Sequence, residues 1–171
     1  REWPALAERL CAAFWPGPLT LIVPRREAIG GAAAGGQSTI GLRCPAHPLA
    51  QARLVACAAR GVPGVAAPSA NRFGRISPTT AAHVVQEFGD TVTVLDGGAC
   101  DVGIESAIVD CSRGVPVLLR PGALTREALQ AAAGVALADA DAYAPRAPGT
   151  LEAHYAPRAT VRLMPRAALT D

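Results

Sequence analysis

Apolar positions recur four apart at Leu6, Leu10 and Phe14, with Ala7 and Ala13 between them, which predicts an amphipathic helix over Glu2–Phe14 with no capping residue ahead of it. Pro16, Gly17 and Pro18 end that helix, and the apolar run Leu19–Val23 reads as a buried strand. A Gly/Ala-rich loop follows over residues 25–36, then a short strand over Thr39–Arg43. His47–Pro48 opens a helix carrying Leu49, Leu54, Val55 and Ala58 and ending near Gly61, after which Val65–Ala67 reads as a third strand. Ser77-Pro78-Thr79-Thr80 predicts a helix start with Ser77 as cap and Pro78 at the first helical position, where its missing N–H costs nothing, and an end at Gly89. Thr91–Leu95, Ser106–Asp110 and Pro116–Arg120 complete the predicted strands, and Thr125 caps a last helix that stops at Gly134. These elements sum to a mixed α/β sheet with helices packed on it.

From Ala138 the pattern stops. Some twenty residues to Pro157 lack any period and read as a linker, although both tyrosines, Tyr143 and Tyr155, fall in it, which points to a segment that docks on something. Alternation resumes over Thr160–Met164 as the first strand of a second domain. The expected division is therefore 1–137 for the main domain, 138–158 for the linker and 159–171 for the start of the next domain.

Composition changes this picture in three ways. The net charge is +2 over 171 residues, with no basic stripe, so charge alone gives no case for strong nucleic-acid binding. All 16 basic residues are Arg, so a bound anion must be met by guanidinium groups, backbone N–H groups or helix N-termini, and a P-loop, which needs its Lys, is excluded. Five cysteines without a Cys-x-x-Cys pair, and three scattered histidines, predict buried free thiols and no structural metal. No apolar run approaches the roughly 20 residues that span a bilayer, and the chain reads as soluble and cytoplasmic.

Candidate chemistry concentrates in a few places. Ser69 and Asn71, the latter the only Asn in the chain, sit in a Pro-Ser-Ala-Asn turn that either offers a hydroxyl and an amide to a ligand or satisfies its own backbone. Thr39 and Arg43 are four apart on a strand and so share a face, with the Arg either paired to an acid or held for an anion. Ser106 enters a strand behind a Gly-Ile-Glu turn, Arg120 ends one before Pro121-Gly122, and His154-Tyr155 offers an imidazole and a phenol. No Cys-His or Ser-His-Asp arrangement suggests a covalent intermediate.

Six strings in order, FWPGPLTLIV from Phe14, STIGLRCPAHPLA from Ser38, APSANRFGRISPTTAAHV from Ala67, DGG with GIESAIVD between Asp96 and Asp110, LLRPGALT from Leu118, and APGTLEAHYAPR from Ala147, closely resemble the YrdC-like threonylcarbamoyl-adenylate synthases in the long form that carries an extra C-terminal domain. The resemblance runs from about Phe14 to Arg158. It implies a twisted α/β sheet around a concave cavity, in which L-threonine, bicarbonate and ATP, with Mg2+, give threonylcarbamoyl-adenylate and pyrophosphate. The product is the donor for threonylcarbamoylation of a tRNA adenosine by a downstream transferase machinery. By motif position it implies ATP contacts at Thr39, Ser69, Arg120 and Tyr155 and L-threonine contacts at Arg43, Ala67 and Ser106, with Asn71 and His154 as further candidates.

The resemblance also implies an N-terminal portion ahead of Arg1, with a TETVYGL-like segment and a Lys/Arg cluster, without which the fragment is expected to be inactive. Ala107 stands where many relatives have Thr. Chemistry of this kind needs reactants held in line and their charge neutralised more than it needs acid/base groups, which suits Arg, hydroxyls and Mg2+. The rival reading is a non-catalytic module that holds double-stranded RNA or tRNA, which would require Arg25, Arg26, Arg72 and Arg75 to line one continuous surface.

Overall fold

Five strands join in the order β2-β1-β3-β4-β5 in a computed structural model that describes residues 3–72, 74–148, 160, 162 and 164. They are β1 (Leu19–Pro24), β2 (Thr39–Arg43), β3 (Ala107–Asp110), β4 (Val117–Arg120) and β5 (Ala138–Asp139). β1 pairs antiparallel with β2 and parallel with β3, β3 pairs antiparallel with β4, and β4 parallel with β5. The expected mixed α/β sheet is thus present. The chain divides into two units, residues 1–68 with 100–150, and residues 69–99 with 151–171.

The first unit holds the whole sheet. On one face α1 (Ala5–Phe14) and α4 (Arg126–Ala133) bury Leu6, Leu10, Leu129 and Ala133 against Leu19, Leu21, Val23, Val109 and Cys111. α1 starts at Ala5 because Pro4 takes the cap position in extended conformation, and no side chain caps the helix. α4 has the expected limits: the Thr125 hydroxyl accepts from the Ala128 N–H, and Gly134 closes the helix at φ 71°, a left-handed conformation that suits glycine. Arg9 Nε donates to the Ala133 carbonyl at 2.9 Å, so a side chain of α1 satisfies an acceptor at the end of α4. α2 (Pro48–Ala58) starts as expected, with His47 Nδ1 accepting from the Leu49 N–H. Its residues are all at least partly exposed.

The opposite face carries Ile22, Ile108, Val117 and Leu119, and Ala144 and Ala147 pack on them. The segment read as a linker is therefore tied to this sheet from its first residues. Ala138–Asp139 forms β5, a strand that the aperiodic sequence did not announce, because two residues are too few to show a period. Beyond it Asp141 receives both Oδ atoms' bonds from Arg113 Nη1 at 2.9 and 3.1 Å, and the Arg146 N–H donates to Gln37 Oε1 at 3.1 Å. Arg113 holds the Asp141 carboxyl below the usual aspartate range. A group depressed on folding stabilises above its ordinary pKa, and that contribution is lost as pH falls through the lower folded value. Asp141→Asn is accordingly expected to speed amide exchange over residues 141–148 at neutral pH, where wild type stays protected until acid pH; equal exchange in the two proteins would show that the clasp holds nothing.

Two expected strands are absent. Val65–Ala67 and Thr91–Leu95 have strand-like composition but no ladder, and η-type turn residues Gly89–Thr91 precede the second. A pleat-compatible sequence becomes a strand only where a neighbour supplies hydrogen bonds, and among the described residues neither segment has one. In the second unit α3 (Ala81–Phe88) begins three residues later than expected, because Thr80 and not Ser77 is the cap, its hydroxyl accepting from the His83 N–H at 3.2 Å. At the far end Thr160, Arg162 and Met164 are exposed and in no strand, while residues 161 and 163 of that expected strand lie outside the described set.

Candidate active site

The sheet face opposite α1 and α4 gathers most of the candidate residues of the first unit. Alternation along β2 puts Thr39, Gly41 and Arg43 on it, and the ladder sets Arg43 opposite Thr20 and Thr20 beside Ile108. Thr20 is a polar residue inside the apolar run Leu19–Val23, a signal that sequence reasoning passed over. Its hydroxyl lies 3.0 Å from that of Ser106, which enters β3 two residues before Ile108. Arg43 is exposed, and among the described residues no acid pairs with it.

Arg120 ends β4 and turns back over the entry to β3. Its Nε donates to the Ser106 carbonyl at 3.0 Å and its Nη2 to the Ser106 hydroxyl at 3.3 Å, with Glu105 Oε2 3.7 Å from Nη2. Its Nη1 donates to the Pro148 carbonyl at 3.0 Å. The guanidinium that the sequence placed beside a loop is thus mostly covered, its side chain 11% exposed, and it organises the Glu105–Ser106 turn. Gly122 makes this possible: a Cβ there would lie 2.3 Å from Ala107 N and 2.7 Å from the Glu105 carbonyl oxygen, so only a hydrogen lets the Pro121-Gly122 turn approach.

Thr39, at the other end of β2, lines an open cleft of about 460 Å³ with Gln37, Ser112, Arg113 and Tyr143. The cleft wall is fixed from beneath by Asp110, whose buried carboxylate accepts from Ser112 N–H at 2.8 Å and Oγ at 2.6 Å and from Arg113 Nε at 3.0 Å. Asp141 and Asp110 together hold Arg113 above its ordinary pKa.

Ala67, exposed, belongs to the first unit; Ser69, also exposed, and Asn71 belong to the second. Asn71 Nδ2 donates to the carbonyls of Arg72 at 3.0 Å and Arg75 at 2.9 Å, so this amide does tie down its own turn, while its Oδ1 is buried with no partner among the described residues. Tyr155 and His154 lie outside the described residues.

The cysteines are all free, as expected, but only Cys111 is buried, and Cys100 is exposed. Burial first, then Asp110, pushes the Cys111 thiol up to about 12, and burial first, then Cys44, pushes Cys11 to about 11, so both are protonated and poor nucleophiles at neutral pH. Of the four arginines that an RNA-holding surface would need, Arg25 and Arg75 have engaged guanidinium groups, and Arg72 Nε comes no closer than 4.0 Å to Glu87. Arg25 donates to the carbonyls of Gln37, Arg26, Glu27 and Ile29. In the second unit Arg75 pairs with Glu87 at 2.8 Å and the Arg72 N–H donates to the same carboxylate. Burial raises the Glu87 pKa, but these bonds outweigh it and hold the group below its usual range.

Residues 1–122 match a family model described as "Telomere recombination", and residues 124–171 match one described as "Threonylcarbamoyl-AMP synthase, C-terminal domain". The chain is 40% identical over 167 residues to the threonylcarbamoyl-AMP synthase of Pyrococcus abyssi, covering 94% of this chain and 48% of that protein. It is also 40% identical over 167 residues to the enzyme of that name from Bacillus subtilis, with 94% and 47% covered. Among solved structures, P. abyssi Sua5 complexed with L-threonine superposes with a TM-score of 0.75 at 38% identity, covering 82% of this chain and 40% of that one. The chain spans about half the length of the curated relatives it matches. No helix among the described residues is long and apolar enough to cross a membrane.

Proposed function

This chain belongs to the threonylcarbamoyl-AMP synthase family, and we propose from that premise that it carries part of the site in which the full-length protein makes threonylcarbamoyl-adenylate. The reaction would join the L-threonine amine to bicarbonate with loss of water, giving a carbamate. A carbamate oxygen then attacks the α-phosphorus of ATP, and pyrophosphate leaves with the electron pair of the broken P–O bond. The observation that carries the reading is the sheet face on which Arg43, free of any acid among the described residues, stands opposite a hydroxyl pair, Thr20 and Ser106, braced by Arg120.

In this reading Arg43, Ala67 and Ser106 hold L-threonine, and Thr39, Ser69, Arg120 and Tyr155 hold ATP, with Asn71 and His154 as further candidates. Arg120 can serve a phosphate by exchanging its Pro148 carbonyl for an anionic acceptor, since a guanidinium bonds an anion more strongly than a neutral carbonyl. Among the described residues no three His, Cys, Asp or Glu side chains converge on a cation site. Mg2+ would enter with the nucleotide, carried by phosphate oxygens and water. Residues 1–137 would form the catalytic portion, 138–158 the linker, of which Ala144 and Ala147 pack on the sheet, and 159–171 the start of the C-terminal domain. The adenylate would pass to a tRNA-modifying transferase in the cytoplasm.

Full-length protein should release pyrophosphate from ATP only when L-threonine and bicarbonate are both present. Equal release without L-threonine would assign a different adenylation to this site. The Arg25 and Arg75 guanidinium groups bond within their own units, which takes two of the four charges from the RNA-holding alternative.

A further inference from the structure

We propose that Glu87 is a positioning residue for ATP, holding the turn behind Ser69; this rests on the synthase reading above, in which Ser69 contacts the nucleotide. Ser69, the turn and Glu87 all lie in the second unit. Glu87 is the next-to-last residue of α3, where the carbonyl end of the helix carries partial negative charge and a carboxylate is unfavourable. Its charge is met from outside the helix instead. Oε2 accepts from Arg75 Nη1 at 2.8 Å and Oε1 from the Arg72 N–H at 3.2 Å. The carboxylate is the covered member of this cluster, its side chain 18% exposed against 62% for Arg72 and 41% for Arg75.

Arg72 and Arg75 are the two ends of a turn that is also closed from inside. The Arg75 N–H donates to the Arg72 carbonyl at 3.0 Å, and Asn71 Nδ2 donates to both of their carbonyls. Such a turn holds its own shape, and Glu87 adds what the turn lacks by itself, a fixed place on α3. Ser69 stands two residues before Asn71, so the tied turn limits where its exposed hydroxyl can go. A free loop would lose that conformational freedom when nucleotide binds, at a cost in affinity, whereas a loop clasped by Glu87 has lost it already on folding.

The test measures pyrophosphate release by full-length protein with ATP and L-threonine varied in turn. Glu87→Ala should raise KM for ATP about fivefold or more, while KM for L-threonine stays within about twofold of wild type. Glu87→Gln keeps an acceptor for the Arg72 N–H but loses the charge facing Arg75, and should fall between. Weakening of α3 would not produce this split, because removing a carboxylate from the last turn favours the helix. Arg75→Gln reaches the same bond from the other side and should also raise KM for ATP; combined with Glu87→Gln it should add little to the worse single change. If Ser69→Ala raises KM for ATP but Glu87→Ala and Arg75→Gln do not, or if they raise both KM values equally, the positioning role is overturned and the synthase reading stands. If Ser69→Ala leaves KM for ATP unchanged, the nucleotide role of Ser69 falls, and the role of Glu87 with it.

Discussion

Gly122→Ala is expected to lose about 3 kcal/mol of stability, at the upper end of what overpacking typically costs. The new methyl would overlap Ala107 N, the Glu105 carbonyl oxygen and the Ser106 carbonyl carbon, at 2.3, 2.7 and 2.8 Å. All three are backbone atoms at the entry to β3, and none can rotate away as a side chain would. Relief requires the Pro121-Gly122 turn to lift, and that movement strains the Arg120 bonds to Ser106. The midpoint of denaturant unfolding should fall with an unchanged slope. Gly114→Ala separates the two causes a glycine can have. Gly114 has φ +81° and open space around its Cβ position, so alanine there meets only backbone strain, about 1–2 kcal/mol. A Gly122→Ala protein within about 0.5 kcal/mol of wild type would mean that the turn does not depend on the close approach.

Asp110→Ala should cost about 1–3 kcal/mol, because it removes the buried acceptor of the Ser112 amide and one of the two carboxylates that Arg113 meets. The Asp110 side chain has no exposure, and its two oxygens serve Ser112 N–H, Ser112 Oγ and Arg113 Nε. Without it the Ser112 amide loses its acceptor and Arg113 keeps only Asp141. For a domain of this size the melting temperature should drop roughly 2–4 °C per kcal/mol. The double change Asp110→Ala with Arg113→Met should cost less than the sum of the two singles, since Arg113→Met alone leaves the buried Asp110 carboxylate without its ion pair. Additive losses would show that the pair is not a unit.

The sequence made the helix α4 and the strands β1 to β4 legible to within a residue or two, because each carries its own period and its own stop signals. The same kind of reading misplaced the start of α3. Ser77 and Thr80 are both competent caps, and only the backbone angle of Thr80, extended at φ −139°, decides between them. Val65–Ala67 and Thr91–Leu95 failed for a different reason, since a strand is a property of two segments and the sequence displays one at a time. The site was half legible. Arg43, Ser106 and Arg120 stood out by residue type, whereas Thr20 hid inside an apolar run and Gly122 looked like an ordinary turn glycine.

By itself, then, the sequence determined the local elements, the α/β class and, through six ordered motifs, the family. All three are written in short spans of chain, where periodicity, caps and motif spacing act over a few residues. The tertiary structure decided which groups meet: Thr20 and Ser106 across 86 residues, Arg9 and Ala133 across 124, and Arg146 and Gln37 across 109. It also made Arg120, a residue at a strand end, the brace of the β3 entry, and bound the first part of an apparent linker to the sheet. Contacts of this kind depend on strand order and on how closely two backbones can pass, and neither quantity has a local signature in the chain.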